Sequence, residues 1–134
     1  MSAGKYNITI EQGATFNTEI VYKDSGSNPI DLSGYQARLQ IKPSKGSSTT
    51  YLTLSSSLAS DGTGLNMSGS TGFKPPTSGS IGIYISALSS SLLTFTGEAY
   101  YDLELVSGSI YPVVTRLLEG QAKLSLEVTT GSYG

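Results

Sequence analysis

The stretch Tyr35-Gln36-Ala37-Arg38-Leu39-Gln40-Ile41-Lys42 decides the fold class. Tyr35, Ala37, Leu39 and Ile41 fall on one side of an extended chain, and Gln36, Arg38, Gln40 and Lys42 fall on the other. Successive strand side chains point to opposite faces, so this alternation predicts a strand with one face in a core and one in water. A helix would scatter the same apolar residues around its axis.

Before this strand, Ile30-Asp31-Leu32-Ser33-Gly34 reads as a tight corner, and Asp24-Ser25-Gly26-Ser27-Asn28-Pro29 imposes a turn by composition. Further upstream, Tyr6, Ile8 and Ile10 alternate with Asn7, Thr9 and Glu11 up to Gln12-Gly13, and residues 14 to 22 resume with Phe16, Ile20 and Val21. The two runs predict an opening hairpin. After the strand, residues 43 to 48 break the pattern, Tyr51-Leu52-Thr53-Leu54 gives a short strand, and residues 55 to 80 are Ser/Gly-rich loop with one brief strand near residues 65 to 67. Ile81, Ile83 and Ile85 share one face of another strand; Ser86 then caps a single helical turn expected to pack Leu88 and Leu92. Residues 98 to 106 and 110 to 119 read as a long hairpin closed by Ser107-Gly108-Ser109, with residues 121 to 129 as a final strand.

The expectation is an all-β protein, an immunoglobulin-like antiparallel β-sandwich of about seven to nine short strands with at most one short helical turn. Residues 1–134 form one domain with a core over about residues 5–129.

Composition supports the β reading. Charged residues are 13% and apolar residues 37% of the chain, with Ser, Thr, Gly and Asn occupying the positions that charges usually take. A net charge of −2 and a pI near 4.9 give no attraction to phosphate backbones or anionic lipid, so neither nucleic acid nor membrane is an expected partner. No apolar run reaches the ~18 to 20 residues that cross a bilayer. Met1-Ser2-Ala3-Gly4-Lys5-Tyr6 lacks the apolar stretch of a secretory signal, so synthesis in a cytoplasm is expected.

The chain has no cysteine and no histidine. Disulfides, thiolate metal sites and thiol nucleophiles are excluded, and so is the side chain that most often carries general acid/base work and binds transition metals. No enzymatic activity, cofactor or metal is expected.

Two carboxylates have a spacing that bears on chemistry. Asp102 and Glu104 lie two apart on one strand, about 7 Å from each other by the strand rise, a spacing that suits an inverting glycosidase. With the turn centred on Gly108, Arg116 falls on the same face, and a structural ion pair between Asp102 and Arg116 is the favoured account. Asp24-Ser25-Gly26-Ser27-Asn28 is not a calcium loop, because the third position is Gly26 and the twelfth is Tyr35; a looser site among Asp24, Asn28 and Asp31 stays open. Gly62-Thr63-Gly64 is a turn without the third glycine of a nucleotide cradle.

Nine tyrosines and no tryptophan divide into two groups. Tyr6, Tyr35 and Tyr101 fall on apolar faces and are assigned to the core. Tyr22, Tyr51, Tyr84, Tyr100, Tyr111 and Tyr133 are the candidates for an interface with a protein or a sugar.

Four words carry a resemblance: Tyr6-Asn7-Ile8-Thr9-Ile10-Glu11-Gln12-Gly13, Asp31-Leu32-Ser33-Gly34-Tyr35-Gln36-Ala37-Arg38, Tyr101-Asp102-Leu103-Glu104-Leu105 and Arg116-Leu117-Leu118-Glu119-Gly120, closing with Glu127-Val128-Thr129. In this order they resemble the small virion structural proteins of tailed bacteriophages, in particular the N-terminal domain of the upper baseplate proteins. The resemblance implies a non-enzymatic adaptor subunit of tail, baseplate or neck, located in the virion and held by contacts with other virion proteins and with copies of itself. It also implies Arg38 and Arg116 as charge partners of carboxylates and Gly120 as a bend. Unlike the upper baseplate pattern, the sequence ends near Gly134, without a coiled-coil or receptor-binding extension. The alternatives carried with this reading are a capsid decoration protein and a host-surface carbohydrate-binding module using Tyr51, Tyr84 or Tyr111.

Overall fold

Ala37, Leu39 and Ile41 are buried and Gln36, Arg38 and Gln40 are exposed, the parity that their alternation dictates. They belong to β4 (Tyr35–Lys42) of a computed structural model that describes residues 4–24, 26–107 and 111–126. The other strands are β1 (Gly4–Lys5), β2 (Ile8–Glu11), β3 (Phe16–Val21), β5 (Leu52–Ser55), β6 (Gly64–Asn66), β7 (Ser80–Ile85), β8 (Ala99–Ser107) and β9 (Val114–Ser125). Helical structure among the described residues is a 3-10 turn at Pro76–Ser78, inside the stretch read as loop, and α1 (Ala87–Ser91).

The strands form two facing sheets. One runs β1-β9-β8-β4-β5, with β2 also on β9; the other runs β3-β7-β6. In strand-order terms this is G-F-C-C′ against B-E-D, so the fold is an all-β sandwich of the immunoglobulin-like kind. Ile10, Ile41, Leu65, Ile81, Ile85 and Leu103 are fully buried between the sheets, and each contributes about 1.5 to 3 kcal/mol of apolar transfer. Gly64 sits within reach of the Ser55 carbonyl, so β6 closes against β5 along one side.

The opening hairpin does not form. β2 pairs with β9 in parallel, Ile8 opposite Ala122 and Ile10 opposite Leu124, whereas β3 pairs antiparallel with β7 in the other sheet. Gly13, at φ +82°, lies where the chain leaves one sheet for the other. Alternation fixes which face is buried but says nothing of which strand lies alongside. Likewise, the segments around residues 110–119 and 121–129 are not two strands: β9 runs continuously through Gly120, its residues after Gly120 pairing with β2 and those near Leu118 with β1. The closure at Gly108 and Ser109 and the closing word 127–129 lie outside the described residues.

Gly120 is required by this arrangement. The Tyr6 N–H donates to the Glu119 carbonyl at 3.0 Å, the Asn7 Oδ1 accepts from the Gln121 N–H at 2.9 Å, and a Cβ on Gly120 would overlap the Tyr6 carbonyl oxygen. That same carbonyl accepts a 2.5 Å hydrogen bond from the Tyr101 hydroxyl. Tyr101 is core, as expected, and burial pushes its phenol up to about 12. Tyr6 and Tyr35 are not: Tyr6 is 48% exposed, because the chain kinks there around Gly120, and Tyr35 is 37% exposed at the open end of its strand.

Ser86 caps α1 as its sequence suggests, its Oγ accepting from the Ser89 N–H at 3.0 Å. The expected packing is inverted. Leu88 and Leu92 are exposed, and the side that docks is polar: Ser90, fully buried, donates to the Ala14 carbonyl at 2.7 Å. A turn of five residues has room for one docked face, and here the hydrogen bonds of Ser86 and Ser90 take it.

Gly120→Ala is expected to lower unfolding free energy by about 1 to 3 kcal/mol, and Tyr101→Phe by about 1 kcal/mol. Both act on the Tyr6 carbonyl, so denaturant titration of the double variant should give a loss smaller than the sum.

Candidate functional surface

The two outer faces of the sandwich differ. Residues 67–79 lie across the three-stranded sheet, where a Cβ on Gly82 would stand 2.8 Å from the backbone of Gly69 and Ser70. Glu19 holds this cover down: its carboxylate accepts from the Lys74 Nζ at 2.6 Å and from the Ser70 N–H at 2.8 Å, contacts that lower its pKa. The outer face of the larger sheet carries no such cover among the described residues.

On that face a row of charges crosses three strands. Arg38 on β4, Glu104 on β8 and Arg116 on β9 are consecutive register partners, and Asp102 lies opposite Glu119 in the next row. Arg38 Nε is 2.8 Å from Glu104 Oε1, Arg116 Nε is 3.4 Å from Asp102 Oδ2, and Arg116 Nη1 is 3.7 Å from Glu119 Oε2. The Asp102 and Arg116 contact is diagonal, since Arg116 stands opposite Glu104, and a bulge at Leu117 places Glu119 opposite Asp102. Each carboxylate of the Asp102 and Glu104 pair therefore faces a guanidinium. Burial, and then the neighbouring Glu104 and Glu119 carboxylates, raise the Asp102 pKa against the opposing pull of Arg116.

Beside the row is a hollow of about 310 Å³. Its floor is Gln40, Tyr100, Asp102 and Glu119, and its wall is residues 44–46, which fold back over the sheet so that Lys45 Nζ reaches within 3.9 Å of Glu119. Lys42 also lines it, close enough to act on Asp102 but in no ion pair within 4.0 Å among the described residues. Nothing in the sequence marks this hollow, because it depends on the Lys45 side chain of the loop after β4 reaching Glu119 on β9.

The interface candidates scatter. Tyr22 and Tyr51 are half-buried against the core, and Tyr51 stacks on Phe95 with ring centroids 4.6 Å apart and planes 5° apart. Tyr84 is half-buried with its ring beside Gly62. Tyr100 lines the hollow, Tyr111 is 86% exposed, and Tyr133 lies outside the described residues. Sequence reasoning did not single out Val113 and Val114, exposed with Tyr111 and Tyr35 at the end of the sheet away from the hollow.

The acidic turns are self-contained. Asp24 Oδ1 accepts from the Gly26 and Asn28 N–H groups, and Asp31 Oδ1 from the Ser33 N–H and hydroxyl. Among the described residues, no group of three His, Cys, Asp or Glu side chains is placed to hold a metal ion. Asp61 ties the loop before β6 to α1: its Oδ2 accepts from Ser86 Oγ at 2.6 Å and Ser89 Oγ at 2.9 Å, and its Oδ1 from the Thr63 N–H at 3.0 Å. These donors hold its carboxyl far below the usual carboxylate range. No helix among the described residues is long and apolar enough to cross a membrane.

The chain matches no protein-family model and no curated protein sequence.

Asp102 has a folded pKa above its unfolded value, so its contribution to stability falls as pH rises through the raised value. Asp102→Asn is accordingly expected to keep the pH 7 unfolding free energy within about 1 kcal/mol of the parent, while Arg116→Ala, which leaves three carboxylates less balanced, costs more. Asp61 has the opposite sign. Its contribution is present above the ordinary value of 3.8 and is lost as pH falls through the lowered one, so the stability gap between the parent and Asp61→Asn, read by thermal unfolding, should be flat from pH 7 to 5 and close below 3.8.

Proposed function

We propose that this chain is a non-enzymatic structural subunit of a tailed-bacteriophage particle, an adaptor of the tail, baseplate or neck that assembles through protein contacts. The observation that carries the reading is where its four recognisable words lie. They fall on β2, β9, β8 and β4, neighbouring strands of the larger sheet, and Arg38, Glu104, Arg116 and Asp102 from three of them meet in the charge row.

Two further features support assembly. Among the described residues, residues 67–79 cover one outer face, whereas only residues 44–46 reach over one end of the other. At one end of the larger sheet, Tyr111, Val113 and Val114 are 86%, 63% and 46% exposed, and exposed apolar side chains so close in sequence are suited to protein contacts. The non-enzymatic part of the reading rests on a sequence without His or Cys and on carboxylates each set against an arginine.

Electron cryo-microscopy of purified particles of the phage encoding this chain is the test. Symmetric copies around the tail axis are expected, with residues 111–114 at a subunit contact. Val114→Lys should reduce incorporation into particles while changing unfolding free energy by no more than about 0.5 kcal/mol. Copies spread over the shell would replace the adaptor reading with capsid decoration, and absence from the particle would end the structural reading.

A further inference from the structure

The hollow on the bare face has a composition that selects a ligand class. Its lining holds three cations, Lys42, Lys45 and Arg116, and three carboxylates, Asp102, Glu104 and Glu119, so its formal charge is zero. An anionic ligand placed there meets the floor carboxylates, and a cationic one meets the lysines of the wall. A ligand whose polar groups both donate and accept satisfies both signs at once, and a hydroxyl does that. Tyr100 adds an aromatic surface and Gln40 an amide that can donate and accept. Polyhydroxylated rings with one apolar face combine these properties. At about 310 Å³ the hollow stands at the lower end of the ~300 to 1,000 Å³ of small-ligand sites.

We propose that this hollow, floored by Tyr100, Asp102 and Gln40 and walled by Lys42 and Lys45, binds a neutral saccharide of one or two rings. The sugar's hydroxyls donate to the Asp102 and Glu119 carboxylates and accept from the Lys42 and Lys45 ammonium groups, with its apolar face against Tyr100. Lys42 is suited to this because it lines the hollow without an ion pair within 4.0 Å among the described residues, and Lys45 because its contact with Glu119, at 3.9 Å, is long enough for a hydroxyl to compete. The site lies at the end of the sheet away from residues 111–114, so it does not rest on the assembly reading and both can operate in one particle.

The experiment is a titration of the isotope-labelled chain, followed through its backbone amide resonances, with glucose, galactose, mannose, N-acetylglucosamine and their disaccharides. Glucuronate and glucosamine serve as charged comparisons. At least one neutral sugar should shift the amides of residues 42–46, 100–102 and 119 with a dissociation constant of about 1 mM or tighter, ahead of both charged sugars. Tyr100→Ala should weaken it roughly 3- to 10-fold. Lys45→Ala, at a side chain 76% exposed and therefore safe for the fold, should weaken it as well, while Val114→Ala should not. Three results would overturn the proposal: no shift at these residues with any neutral sugar at about 50 mM, tens of times the expected constant; tighter binding of glucuronate or glucosamine; or neutral-sugar binding indifferent to both Tyr100→Ala and Lys45→Ala.

Discussion

The Tyr6 carbonyl oxygen occupies the space left by the missing side chain of Gly120 and accepts the Tyr101 hydroxyl. Three strands meet there. β1 and β2 are two halves of one edge segment running parallel to β9, and the kink between them at residues 6–7 is possible only where β9 has no Cβ. Because this edge is parallel, the chain leaves it at Gly13 on the far side of the sheet from where it began, and so enters the second sheet as β3 instead of turning back on itself. The sandwich topology therefore depends on a contact between the start and end of the chain, with a phenol from β8 supplying the hydrogen bond that the kink would otherwise leave missing. Such a contact is far apart in sequence, and its closure orders the edge of the larger sheet.

Which face of a strand is buried was legible in both sheets. The parity of β4 and of Ile81, Ile83 and Ile85 follows directly from period-2 alternation, because burial on one face is a local property of a strand. Partnership is not local, which is why the first two strands read as a hairpin and lie in different sheets. Leu88 and Leu92 were misplaced for a related reason: apolarity predicts burial on average, but the hydroxyls of Ser86 and Ser90 had partners at Asp61 and Ala14 that no sequence pattern reveals. Asp102 and Arg116 were paired from an assumed regular ladder. The two side chains do meet, on the diagonal from the Glu104 and Arg116 pair, and a bulge that no pattern announces sets Glu119 opposite Asp102. Among the tyrosines, Tyr51 illustrates the limit, since its exposure was reduced by a stacking partner, Phe95, distant in sequence.

What holds the sandwich together is separable from what its bare face presents. The arginines of the charge row are 52% and 54% exposed at their side chains, and exposed pairs of this kind contribute about 0 to 1 kcal/mol each. A single buried Ile or Leu outweighs any of them. Asp102 makes the point more sharply, because its raised pKa means that ionising it works against folding. A face whose charges add so little to stability is free to be shaped by what it meets. Balanced lining charges, an aromatic ring and a loop folded over two strands form a hollow with a defined hydrogen-bonding character, while residues 111–114 form an apolar end with a different one. Substitution at either end alters what that face presents, while the core and the Tyr6, Gly120 and Tyr101 junction keep the scaffold unchanged.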